Sequence, residues 1–127
     1  MRFMVMIKSA ESSGPPPRAL MEAIAKLGEE GARAGVLVET GGLLPSATGA
    51  RVRLSNGKLA VTDGPFAEAK EVIGGYAVYE VGSKREAVEW TSRFMELHRE
   101  HWTGWEGEAE IRQIFGVSDS GRANAGP

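Results

Sequence analysis

A turn and a strand end hold the residues best suited to chemistry. Asp63 opens the tight turn Asp63-Gly64-Pro65-Phe66, where a carboxylate could act as a general base, bind a cationic group or accept hydrogen bonds from the amides that follow. Capping the turn is the commonest of these roles for an aspartate in such a position. Phe66 follows as a large apolar anchor. We take Asp63 as the candidate catalytic residue, and Asp63 and Phe66 as candidate ligand contacts.

Further polar candidates lie on two predicted strands. Glu39 and Thr40 precede Gly41-Gly42, where they could present a carboxylate and a hydroxyl at the mouth of a cleft or simply end a strand. Tyr76 and Tyr79 alternate on one strand and therefore point to opposite faces. One phenol is expected in the core or in a dimer interface, and the other beside a pocket. A tyrosine in a half-buried strand is more often structural than catalytic, and we retain Glu39, Thr40 and Tyr76 as ligand contacts.

The two histidines, His98 and His101, are spaced i and i+3 on a predicted helix and would share a face. A metal there would need a carboxylate from Glu39, Asp63 or a partner chain. The simpler interpretation is a hydrated helix end at which the rings pack against the tryptophans that follow. We therefore predict no metal site and no cofactor, and we keep His98 as a candidate ligand contact.

Composition limits the classes of function. The chain has 127 residues, a formal net charge of −2 and no cysteine. No block of lysine and arginine favours nucleic-acid binding. Without cysteine there is no disulfide and no thiolate nucleophile. No apolar run is long enough to span a membrane, and the first residues lack the layout of a signal peptide. We expect a cytoplasmic protein without nucleic-acid or membrane partners.

Hydrophobic periodicity predicts one domain over residues 1–116 and a disordered tail over 117–127, which is small and polar. The predicted strands cover residues 2–8, 36–40, 51–54, 58–61, 72–81 and 108–115, and the predicted helices run from 17 or 18 to 34 and from 83 to about 101. Asn56-Gly57 predicts a type I′ hairpin turn. Ser83 with Glu86 predicts a capping box. Gly74-Gly75 indicates a bulge or a close backbone approach.

Several of these segments together resemble a known family. The matching residues are Arg2-Phe3-Met4, Ala34-Gly35-Val36-Leu37, Gly41-Gly42-Leu43, Asp63-Gly64-Pro65-Phe66-Ala67-Glu68, Lys70-Glu71 and Gly74-Gly75-Tyr76. They are similar to the signature of the DGPF proteins of the YCII-related superfamily, over roughly residues 1–116. The resemblance implies a ferredoxin-like α+β fold that dimerises through its sheets. Most members of the family have no assigned function.

Some better-studied relatives carry a His–Asp pair proposed as catalytic. The matching positions fall near Ile24 and Arg33 in this chain. Neither side chain can do acid–base work at neutral pH. This departure removes the main chemical argument for an enzyme of that kind.

We therefore predict an α+β, ferredoxin-like protein (a dimeric α+β barrel) with a mainly antiparallel sheet, two helices on one face and an inserted β-hairpin. The other sheet face carries tyrosine, methionine and valine, and an exposed apolar face of this kind indicates a homodimer. The preferred function is binding of a small molecule at a cleft near the DGPF turn, with weak acid–base chemistry left open. The alternatives are a regulatory or protein-partner module associated with transcription, by analogy with relatives linked to sigma-factor-like regions, and a metal-dependent enzyme that uses His98 and His101.

Overall fold

The structure is a computed structural model and describes residues 1–116. Its strands and helices, in chain order, are β1 (Arg2–Ser9), α1 (Arg18–Arg33), β2 (Leu37–Gly42), β3 (Ala50–Ser55), β4 (Lys58–Asp63), β5 (Val72–Glu80), α2 (Lys84–His101) and β6 (Gly107–Gln113). Single 3₁₀ turns cover Glu11–Ser13 and Ser46–Thr48. The predicted tail, 117–127, lies outside the described residues.

The main sheet has four antiparallel strands in the order β2-β5-β1-β6, and α1 and α2 cover one of its faces. This is the ferredoxin-like arrangement, and the prediction of the fold is confirmed. Alternation along β1 places Phe3, Val5 and Ile7 under the helices, where all three are buried. Their neighbours Met4 and Met6 face the other side, which we call the open face.

The helix ends follow local sequence signals. Gly35 has φ +77° and its amide donates to the carbonyl of Ala32 at 3.0 Å, so the chain leaves α1 through a left-handed residue. At the start of α2 the Ser83 hydroxyl accepts from the Glu86 amide at 3.2 Å. The Glu86 carboxylate reaches the amide of Gly82 at 3.0 Å rather than that of Ser83. The capping box is thus present with its return bond shifted by one residue.

Residues 50–63 form a separate two-stranded sheet, which we call the hairpin arm. Asn56 and Gly57 have φ of +53° and +76°, so the predicted type I′ turn is confirmed. One face of the arm carries four large apolar side chains that are 67–72% exposed: Val52, Leu54, Leu59 and Val61. A two-stranded hairpin is marginal on its own in water, because it has no third strand or helix to cover its apolar face.

The glycine pair of β5 produces a bulge. In the pairing with β1, Ile7 faces Gly75 while Lys8 faces Ile73, so Gly74 is the extra residue. A Cβ on Gly75 would lie 3.2 Å from the carbonyl oxygen of Gly41 on the other neighbouring strand. The bulge and the close approach predicted as alternatives therefore occur together, at adjacent glycines.

Candidate functional site

A cavity of about 620 Å³ lies between the helices and the main sheet. We call it the interlayer cavity. Its apolar wall comes from β1 and β5 below and from both helices above, through Val5, Ile7, Leu20, Ile24, Leu27, Ala77 and Phe94. The rim is made by the loop after β1, including Glu11, and by the segment after β2, including Leu43 and Pro45. Ligand sites in proteins have this size and this mostly apolar lining.

Thr91, from α2, is one of the residues that line the cavity. The residue is 5% exposed, and its Oγ1 has no hydrogen-bond partner among residues 1–116. A helical threonine usually satisfies its hydroxyl on a carbonyl three or four residues earlier, but this one does not. Leaving a buried hydroxyl unpaired costs about 1–3 kcal/mol. One residue of the cavity wall therefore carries a buried polar group without a partner.

His98 lies two turns further along α2, also in the cavity wall and only 6% exposed. Its Nδ1 is 3.1 Å from the carbonyl oxygen of Phe94. A carbonyl can only accept, so Nδ1 carries the proton and Nε2 presents a lone pair. The ring packs against Trp105 and Phe94 with centroids 4.5 and 4.8 Å away. This burial lowers the pKa of His98, and the imidazole is neutral near pH 7.

The two histidines lie in different environments. His98 belongs to the buried stripe of α2, together with Ala87 and Thr91, whereas His101 is exposed. Thr91 and His98 follow Ala87 by four and eleven residues on this stripe, whereas His101 is the last residue of α2. The two rings therefore lie in different environments although they are three residues apart. Within residues 1–116 no group of three histidine, aspartate or glutamate side chains is arranged to hold a metal ion.

Tyr76 and Glu39 form a pair on the open face. The Tyr76 hydroxyl donates to Glu39 Oε2 at 2.6 Å, and this hydrogen bond is the main reason that the pKa of the phenol is raised. The phenol therefore stays protonated at neutral pH. Tyr79 faces the helices instead, stacks on Trp90 with centroids 6.3 Å apart, and has its pKa raised by burial. The two tyrosines thus lie on opposite faces, as their alternation predicts.

Thr40 lies at the edge of the interlayer cavity. It pairs with Ala77 on the helix side of the sheet, and its hydroxyl donates to the Tyr76 carbonyl oxygen at 3.0 Å. The six predicted ligand contacts are therefore divided among three places. Thr40, Tyr76 and His98 are among the residues that line the cavity, although the Tyr76 phenol pairs with Glu39 on the open face. Asp63 and Phe66 lie at the base of the hairpin arm.

The turn Asp63-Gly64-Pro65-Phe66 is held by another segment. The Gly64 amide donates to the Gly49 carbonyl at 2.8 Å, and the Phe66 amide donates to the Ser46 hydroxyl at 3.0 Å. Within the described chain, the Asp63 carboxylate forms no side-chain hydrogen bond or ion pair. Capping by Asp63 is therefore wrong, because Ser46 has taken that role. The Gly64–Pro65 peptide bond is cis.

Phe66 provides an apolar platform for the arm. The Arg51 guanidinium lies 3.9 Å above the centre of the Phe66 ring and also pairs with Glu68. Ser46 links the turn to the rim of the cavity, since its hydroxyl donates to Glu11 Oε1 at 2.8 Å. The Ser46 amide donates to the same carboxylate, and these bonds lower the pKa of Glu11. The DGPF turn therefore supports the rim of the cavity without lining it.

Sequence reasoning did not single out Thr91, Glu11 or Ser46. Thr91 carried a usable signal, since it is a polar residue inside the apolar stripe of a helix. Ser46 and Glu11 carried none, because they lie 35 residues apart in loops and meet only in the folded chain.

Fold and cavity define an α+β ferredoxin-like domain with a ligand-sized space between its layers. The chain belongs to the YCII-related domain family, whose sequence profile matches residues 1–101. This membership confirms the resemblance to YCII-related DGPF proteins. None of the curated proteins matches the chain. Neither α1 nor α2, the long helices of the described residues, has the length and apolarity needed to cross a membrane.

Proposed function

We propose that this protein binds a small molecule in the interlayer cavity. The observation that carries the proposal is the unpartnered Thr91 hydroxyl at a mostly apolar wall. A buried donor without a partner is costly and is retained more readily where a ligand completes it. The location differs from the cleft beside Asp63 expected from the sequence, since Asp63 and Phe66 are not among the lining residues and Ser46 and Glu11 stand between the DGPF turn and the cavity.

Acid–base chemistry, if this protein has any, would use His98 rather than Asp63. His98 is neutral and offers the lone pair of Nε2 at the cavity wall, and a neutral imidazole is the commonest general base. Asp63 lies at the end of β4, outside the cavity lining. We leave the reaction open, since binding alone would need the same geometry.

Titration with the neutral fluorophore N-phenyl-1-naphthylamine tests the cavity. Saturable binding with a stoichiometry of one per chain is expected. The variant Ala77→Leu fills the cavity from the floor of the sheet and should abolish binding, whereas Ala60→Leu on the exposed hairpin arm should not. Circular dichroism shows whether both variants fold. Unchanged binding in a folded Ala77→Leu variant, or no saturable binding in the wild type, would rule the site out.

We also propose that two copies associate through the open face. Its centre is apolar, with Met4 and Met6 beside Val78. Its rim carries charges of both signs in pairs, including Arg2 with Glu80 at 2.7 Å. A face with a balanced rim can meet a copy of itself around a two-fold axis without a block of like charge. Sedimentation velocity at micromolar concentration tests this, and a stable monomer would refute it.

The hairpin arm also favours a second copy of the chain as the binding partner. Its apolar face is exposed, while its other face carries Arg51 and Arg53. With Lys58 the arm is basic, although the chain as a whole has a net charge of −2, so the remainder of the chain is acidic. This charge complementarity favours contact between the arm of one copy and the body of the other.

A further inference from the structure

Two polar groups of α2 without a hydrogen-bond partner among residues 1–116 lie on one helix face at a defined separation. Thr91 Oγ1 has no hydrogen-bond partner, and the lone pair of His98 Nε2 has none among residues 1–116. Seven residues separate them, which corresponds to about 10 Å along an α-helix. Phe94 lies between the two on the same stripe and contributes to the apolar wall. One small polar group cannot satisfy both positions, but an elongated molecule lying along α2 could.

The cavity wall is almost without charge. Among residues 1–116, no lysine, arginine or aspartate lines it, and the one carboxylate there, that of Glu11, lies at the rim and already accepts two hydrogen bonds from Ser46. An anionic ligand would lose its hydration without gaining a cation, and the cost of burying an unpaired charge is large. A cationic ligand would find only an engaged carboxylate. The chemistry of the wall therefore selects against either charge.

The two polar positions have different requirements. His98 Nε2 can only accept, because its partner nitrogen holds the proton against the Phe94 carbonyl. The group beside it on the ligand must be a donor. The Thr91 hydroxyl can donate or accept, so the group at that end can be a hydroxyl or a carbonyl.

Building on the proposed binding function, we infer that the ligand is a neutral, elongated and largely apolar molecule. It lies along α2, with a hydrogen-bond donor beside His98 and a hydroxyl or carbonyl about 10 Å away beside Thr91. Its apolar middle packs on Phe94 and on the opposite wall formed by α1 and the sheet. This class includes bisphenols and hydroxylated aryl ketones, and it leaves out carboxylates, phosphates and amines.

Calorimetry with matched biphenyls tests the inference. The probes are 4,4′-dihydroxybiphenyl, 4-hydroxy-4′-methylbiphenyl, in which a methyl replaces one hydroxyl, and biphenyl-4-carboxylate. The wild type should bind the dihydroxy compound about tenfold or more tightly than the carboxylate. Thr91→Val replaces the hydroxyl with a methyl. It should weaken binding of the dihydroxy compound by roughly tenfold and binding of the methyl compound by less than about twofold. Thr91→Ser keeps a hydroxyl and should restore the difference between the two probes.

The outcomes separate this inference from the binding function itself. Equal or tighter binding of the carboxylate, or equal losses for both hydroxylated probes in Thr91→Val, would overturn the ligand class. If no biphenyl binds while N-phenyl-1-naphthylamine still binds in an Ala77-dependent way, the class is wrong and the cavity remains a site. If neither kind of probe binds, the proposed function fails together with the inference.

Discussion

The hydroxyl of Ser46 accepts a hydrogen bond from the backbone amide of Phe66 at 3.0 Å. The same hydroxyl donates to Glu11 at the rim of the interlayer cavity, at 2.8 Å. One serine therefore connects the DGPF turn, the loop after β1 and the edge of the cavity. The contact also explains the glycine of the turn, because a Cβ on Gly64 would overlap the carbonyl oxygen of Ser46. Space, rather than a positive φ, excludes a side chain there.

Replacing Gly64 by alanine is expected to destabilise the chain. The added methyl would collide with the backbone of Ser46, which cannot rotate away as a side chain could, and overpacking of this kind costs about 1–3 kcal/mol. Gly42→Ala is the control, since nothing lies within 4 Å of a Cβ at that position. Urea unfolding of both variants measures the difference. Equal stability of Gly64→Ala and wild type would show that Ser46 can move.

Two glycines of α1 should respond differently to replacement by alanine. A Cβ on Gly28 meets only Leu37 Cδ2 at 3.8 Å, so Gly28→Ala should stabilise the helix by about 0.5–1 kcal/mol through helix propensity. A Cβ on Gly31 would lie 3.2 Å from Leu37 Cβ and 3.6 Å from the Trp90 ring. Gly31→Ala should therefore lose that gain and become neutral or destabilising.

Thermal and urea unfolding of the two variants, compared with wild type, measure this contrast. If Gly31→Ala stabilises the chain, Leu37 of β2 and Trp90 of α2 can move enough to accommodate the added methyl. A destabilising Gly28→Ala would mean that α1 packs more closely than the 3.8 Å contact indicates.

Stability should fall as the pH is lowered from about 7.5 to 5.5, with His98 responsible. Burial lowers the pKa of His98 in the folded chain, so below about pH 6.5 the unfolded chain binds a proton that the folded chain does not. The unfolded state is then favoured, by at most about 1.4 kcal/mol per pH unit. Above this window both states hold a neutral imidazole and the dependence disappears.

Urea unfolding at several pH values checks this. His98→Gln should reduce the dependence of the free energy of unfolding on pH, whatever it does to the absolute stability. His101→Gln, at an exposed position, serves as the control. Glu80, whose pKa is lowered by hydrogen bonds from the N-terminal ammonium and Arg2, titrates below the window and does not obscure it. A slope that survives in His98→Gln would assign the pH dependence to other groups.

The apolar face of the hairpin arm should matter for association and little for the single chain. Leu54 and Leu59 are 69% and 72% exposed, so Leu54→Lys or Leu59→Lys should change the free energy of unfolding of the monomer by no more than about 0.5 kcal/mol. If the arm contacts a second copy, each variant should raise the dimer dissociation constant about tenfold or more.

Ala60→Lys is the matched control, because it adds the same charge on the opposite face of the arm, where Ala60 pairs with Arg53. Analytical ultracentrifugation over a concentration series separates the two effects. Equal dimer dissociation constants for Leu59→Lys and Ala60→Lys would show that the apolar face of the arm is not part of the interface.

Local sequence signals were sufficient where the chain interacts with its near neighbours. Asn56 and Gly57 required the left-handed angles of a type I′ turn, and Ser83 capped α2 three residues ahead of Glu86. These outcomes follow from short-range sterics and hydrogen bonds, which act within a few residues. Alternation of apolar residues likewise predicted β1 and the order of the elements, because side-chain direction in a strand repeats every two residues.

The candidate site depended on contacts between distant segments. Asp63 appeared to be the cap of its own turn, yet Ser46 supplies that hydrogen bond from across the fold. The sequence left the environments of His98 and His101 open, and packing against Phe94 and Trp105 made His98 buried and neutral. The sequence by itself determined the elements, their order and the family to which the chain belongs. The tertiary structure alone decided which polar groups face the interlayer cavity, because burial and hydrogen-bond pairing depend on how α1, α2 and the sheet pack together.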